Sequence, residues 1–133
     1  MPQENVDVVR RGYEHVSRTG DLLPEIFHPD FVWDMSRFGG WLERQTYAGI
    51  EGAREFMSDW AEAWDEWELK LADLREAGGQ VVAIATQTGR SRVSGLRVDM
   101  EFAQVWSLAD GLQIRMEMYA DVQEALAAAG LSD

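Results

Sequence analysis

The stretch RVDMEFAQVWSLADGLQIRMEMYAD, residues 97–121, decides the fold. In its first half Val98, Met100, Phe102, Gln104 and Trp106 alternate with Arg97, Asp99, Glu101, Ala103 and Val105. That period of two is the mark of a half-buried strand. Asp110-Gly111 is a two-residue hairpin signal. Beyond it Leu112, Ile114, Met116, Met118 and Ala120 alternate with Gln113, Arg115, Glu117, Tyr119 and Asp121. Two strands joined by a tight turn are predicted, each with its apolar face turned inward.

Working outward, residues 67–76 and 80–90 read as an earlier hairpin closed by Ala77-Gly78-Gly79, so four strands form an antiparallel meander. Upstream lie helices. Val6, Val9, Tyr13 and Val16 recur at helical spacing in a helix reaching Arg18, and residues 22–27 read as a short second one. Pro29 breaks that pattern. Residues 31–35 form a short strand with Val32 and Asp34 on one face, and residues 36–47 a loop. A third helix starts at Gly49–Gly52, with Phe56, Trp60, Ala63, Trp64 and Trp67 on one side. Residues 123–129 close the chain as a helix ending at Gly130. Helices first and a meander after give an α+β fold in one domain, residues 1–133. Twist curls the antiparallel sheet around the N-terminal helices into a cone with an open mouth.

The chain has 12 basic and 24 acidic residues, a formal net charge of −12, and no basic cluster to hold a phosphate backbone. Nucleic acid is not an expected partner. With no cysteine, disulfides, thiolate metal sites and a Cys nucleophile are excluded. The stretch MPQENVDVVRRG has charges where a signal peptide needs an apolar run, and no segment approaches the ~18 apolar residues of a membrane helix. A cytoplasmic protein, without membrane partner, is the expectation.

Bulky, adaptable side chains are predicted to wall a pocket for a small apolar molecule: Val32, Trp60, Trp64, Met100, Phe102, Trp106, Met116 and Met118. Three polar residues intrude on these inward stripes. Gln104 interrupts the strand's apolar face, and a buried amide left unpaired costs ~1–3 kcal/mol. Asp34, inward beside Val32, would be a desolvated carboxylate with a raised pKa. Tyr13 carries a hydroxyl in the middle of a buried stripe. Their convergence would mark a binding or proton-transfer site. No phosphate-cradling glycine motif and no metal-ligand set is present, so neither cofactor nor metal is expected.

The segments HPDFVWD (28–34), YAGIEGAREF (47–56), AQVWSLADG (103–111) and YADVQEALAAAGL (119–131) carry a resemblance over nearly the whole chain. They resemble the nuclear-transport-factor-2-like superfamily, close to its SnoaL-like polyketide cyclase group. The resemblance implies a homodimer formed through the outward sheet face. Ketosteroid isomerases share this fold; their oxyanion-donating Tyr resembles Tyr13 and their general-base Asp resembles Asp34. Gln104 stands where their second donor is a protonated Asp, and a glutamine donates at any pH. Limonene-type epoxide hydrolases need charged groups at positions resembling Ala85, Gln87 and Met118, which argues against that activity and leaves Gln87 as a pocket amide. SnoaL-type cyclases use an acidic acid/base group in the pocket, a role open here to Asp34 or to Asp121, although the alternation turns Asp121 outward. The expected function is a cofactor-independent isomerase or cyclase that abstracts a proton next to a carbonyl. Its alternatives are a non-catalytic small-molecule-binding domain and a protein-interaction module with a vestigial pocket.

Overall fold

The computed structural model describes residues 2–39, 41 and 44–131. Helix α1 spans Pro2–Thr19, and a single 3₁₀ turn, Pro24–Ile26, replaces the second helix. Strand β1 (Phe27–Asp34) is followed by β2 (Thr46–Ala48), which lies in the stretch read as loop. Then come α2 (Gly49–Glu62), β3 (Trp64–Ala77), β4 (Gln80–Ser91), β5 (Arg97–Ala109), β6 (Leu112–Tyr119) and α3 (Val122–Ala128).

The six strands form one curved, unclosed sheet in the order β2-β1-β6-β5-β4-β3. Strands β3 to β6 make the predicted antiparallel meander. Strand β1 joins it parallel to β6, so the sheet is mixed. Both tight turns form as the sequence requires. Asp110 and Gly111 (φ +53° and +78°) and Gly78 and Gly79 (+47° and +80°) adopt the left-handed conformations of a two-residue hairpin turn.

Helices α1 and α2 lie against one face of the sheet. Val6, Val9, Ala53, Phe56 and Trp60 pack there on Phe31, Trp33, Val81, Ala83, Ala85, Phe102, Trp106, Met116 and Met118. Each such burial contributes about 1.5–3 kcal/mol, which makes this layer the main source of stability. The opposite face is not the plain polar surface that the alternation implied. Val82, Ile84, Ala103, Val105 and Tyr119 form a second cluster there, covered by Ala125 and Leu126 of α3. Asp121 caps that helix, accepting from the backbone N–H groups of Gln123 (2.8 Å) and Glu124 (3.3 Å). It is a helix cap and not a pocket acid.

The tryptophan stripe also needs correcting. Trp60 is helical, but α2 stops at Glu62, and Trp64 and Trp67 belong to β3. Their three-residue spacing mimics a helix because β3 is bulged between Asp65 and Glu68, with Glu66 at φ +48°. One extra residue returns Trp67 to the face of Trp64. Both lie over Gly89: a Cβ there would stand 2.8 Å from Trp67 Cβ and 3.6 Å from Trp64 Cε3.

Candidate functional site

Between α1, α2 and the concave face of the sheet lies a cavity of about 1120 Å³ with a mainly apolar wall. Trp33, Phe56, Trp60, Phe102, Trp106 and Met118 line it. So do Trp67, Leu69 and Leu71, three of the more exposed large apolar residues, all on β3. The volume suits a ligand of drug size.

Two of the three polar residues singled out in the sequence meet in this wall. The Trp106 indole N–H donates to the Tyr13 hydroxyl at 3.0 Å, and that hydroxyl donates in a short hydrogen bond to Gln104 Oε1. Among the described residues Gln104 Nε2 then has only the thioether of Met118, at 3.6 Å. Burial pushes the Tyr13 phenol far above the ordinary tyrosine range, outweighing the lowering effect of the Trp106 hydrogen bond. The phenol therefore stays a donor at every physiological pH. The Trp33 Nε1–H is buried nearby and has no partner among the described residues.

Asp34 does not join them. Phe31 and Trp33 of β1, with Met35 just beyond it, face the helices, so Val32 and Asp34 lie on the other side of the strand. Asp34 is 5% exposed. One oxygen accepts the Ser36 backbone N–H at 2.8 Å, and the other is held by the Arg115 guanidinium. Burial would raise its pKa, but the Ser36 hydrogen bonds and the Arg115 charge outweigh it and leave the carboxyl below its ordinary value. The expected raised pKa is thus reversed. The pairing of faces failed because the aromatic at position 33 outcompetes the smaller Val32 for the interior.

Gln113, assigned to the outward face, is instead 1% exposed and lines the cavity. Ser107 pairs with Arg115 while Leu108 pairs with Gln113, leaving Ile114 without a counterpart. This bulge reverses the alternation and aims Gln113 toward α1, where its Oε1 lies 3.8 Å from where a Gly12 Cβ would stand. Nothing in the hairpin's alternation announces the slip.

The remaining predicted pocket residues divide. Met116 is fully buried in the core rather than on the cavity wall. Gln87 is also buried beneath the wall, where its Oε1 accepts the Trp60 indole N–H at 2.8 Å and its Nε2 has no partner among the described residues. Trp64 and Met100 line a second, smaller cleft, which shares Trp60 with the main cavity. Acidic groups on the main cavity (Glu14, Asp21, Glu68) are exposed at its rim, and Asp21 is engaged by Arg54 at 3.1 Å. Among the described residues Asp34 is the one buried carboxylate, and it does not face the cavity.

The sequence pattern of the SnoaL-like domain matches residues 9–116. No match was found among curated proteins. Several solved structures are similar over nearly their full length. TerC, crystallised with polyporic acid, is 22% identical over 96% of this chain and 98% of its own, with a TM-score of 0.72. A nuclear-transport-factor-2-like protein of unknown function from Burkholderia pseudomallei K96243 is 23% identical, covering 93% and 95%, with a TM-score of 0.73. Bal32a, from a soil-derived mobile gene cassette, is 20% identical, covering 91% and 92%, with a TM-score of 0.75. At these identities the likeness is one of fold.

Proposed function

Because the chain belongs to the SnoaL-like domain family, we propose that it binds a small, largely apolar molecule bearing an acceptor oxygen, such as a ketone. The observation that carries this reading is the pair of under-used donors in an apolar wall. Among the described residues Trp33 Nε1–H has no partner, and Gln104 Nε2 has only a thioether. A ligand oxygen reaching Gln104 Nε2 would recover the ~1–3 kcal/mol that an unpaired buried polar group costs. The co-crystallisation of TerC, which shares this fold, with polyporic acid supports a ligand-binding reading.

Isomerisation or cyclisation next to a carbonyl is the catalytic form of the same proposal. Tyr13 and Gln104 would then stabilise an enolate oxygen. The proton acceptor would have to come from the rim, because Asp34 is committed to Arg115 behind the sheet. Geometry favours binding over Asp34-driven chemistry. A cytoplasmic homodimer, joined across sheet surface that α3 leaves uncovered, belongs to the same reading, and light scattering at graded concentration tests it.

The binding test is a thermal-shift and tryptophan-fluorescence screen of aryl ketones against hydrocarbons of equal size. Ketones are expected to bind more tightly, and Gln104→Leu to remove the difference. Equal binding of ketone and hydrocarbon sinks the proposal. If turnover is found, Asp34→Asn should leave it within a few-fold. A loss of about 10²-fold or more would return Asp34 to the chemistry.

A further inference from the structure

The second cleft has a chemistry of its own. It encloses about 570 Å³ beside the C-terminal end of α2, and four aromatic residues wall it: Phe38, Trp41, Trp60 and Trp64. Trp60 stands at their centre, with ring centroids 5.8 Å from Phe38, 5.5 Å from Trp41 and 6.0 Å from Trp64. Its indole N–H is anchored to Gln87 Oε1 at 2.8 Å, which fixes the ring as a rigid wall. Asp59 and Glu62, three residues apart on α2, supply the charged groups of the lining; Asp59 Oδ2 accepts the Tyr47 hydroxyl at 2.9 Å, and no cation belongs to the lining among the described residues. Arg92 and Arg44 are each engaged elsewhere. Arg92 holds Asp65 at 2.9 Å and the Trp64 carbonyl at 3.0 Å, while Arg44 holds Glu55 at 2.9 Å and stacks on Tyr47.

Aromatic faces carry negative potential and attract cations, most strongly from tryptophan. Two carboxylates at the edge of such a cage add long-range attraction, reinforced by the chain's net charge of −12. A phosphate or a carboxylate would be repelled. A compact metal ion would lose hydration that rings do not replace. An alkylated ammonium ion satisfies both wall types, because its methyl groups contact the rings and its charge faces the acids. We propose that this cleft is a second binding site, separate from the main cavity, for a small alkylammonium cation.

The test titrates choline, and in parallel its neutral isostere 3,3-dimethyl-1-butanol, at constant ionic strength. Binding is followed through the indole N–H resonances. Choline is expected to saturate the shifts of Trp60 and Trp64 and to bind about three- to tenfold more tightly than the isostere. Asp59→Asn and Trp64→Ala should each weaken choline by at least a few-fold, with Trp64→Phe retaining most of the affinity. Gln104→Leu, in the main cavity, should leave choline binding unchanged. Equal binding of choline and isostere, or no saturable shift at millimolar choline, overturns the proposal. Choline binding that Gln104→Leu abolishes and Asp59→Asn spares also overturns it, by placing the cation in the main cavity.

Discussion

Tyr13 is the residue on which the cavity's polar wall turns. Its hydroxyl is both acceptor for Trp106 and donor to Gln104, so removing it strands two partners. Tyr13→Phe should therefore cost about 1–3 kcal/mol in urea unfolding, more than the loss of one exposed hydroxyl. Asp34 makes a different statement. Its folded pKa lies below its unfolded value, so its contribution to stability is fully present above the ordinary carboxylate range, about pH 4. That contribution is lost as pH falls through the lower folded pKa. Asp34→Asn should flatten this acid limb and destabilise the protein at neutral pH, where Arg115 loses its closer carboxylate and keeps only Glu117 at 3.9 Å among the described residues. An unchanged stability profile between about pH 5 and 2 would show that the pair adds nothing. Of the three polar residues singled out in the sequence, Tyr13 and Gln104 were legible because helix and strand periodicities are strict through their positions. Asp34 was misread because Phe31, Val32 and Trp33 are all apolar, and an apolar run carries no period.

At the scale of elements, the hairpins were readable from turn chemistry and alternation, while the bulges at Glu66 in β3 and at Ile114 in β6 were invisible. A bulge is set by how two strands match each other, and a single strand's pattern does not contain that information. The β3 bulge explains why Trp64 and Trp67 looked helical. It also makes Gly89 a spacing residue, since a Cβ there would collide with Trp67. Gly89→Ala should cost about 1–3 kcal/mol and shift the tryptophan emission, as Trp67 or its strand is displaced. A variant with wild-type stability and emission would mean that the β3–β4 spacing is looser than described. The short β2 was missed for a simpler reason. Three residues paired to β1 alone are too few to show any alternation.

For the whole molecule, the cavity links ligand to stability. A ligand specific to the folded state at a hundredfold excess over its Kd should add about 2.7 kcal/mol, a rise in Tm of about 10 °C for a domain of this size. The rise should grow with the logarithm of ligand concentration without levelling off, and a plateau would betray binding to the unfolded chain as well. The mouth of the cavity is bordered by β3, which is an edge of the sheet. Glu66, Glu68 and Lys70 interrupt its exposed apolar row with charge, which discourages strand-to-strand aggregation. The irregularity at Ile114 has a separate consequence. Had β6 run regularly, Ile114 and not Gln113 would occupy the inner wall, so one amide in the ligand chamber owes its place to a backbone slip. The chamber's polarity is thus written partly in register. Relocating a single unpaired residue along β6 would exchange an aliphatic surface for an amide, retuning what the fold accepts while every amino acid stays the same.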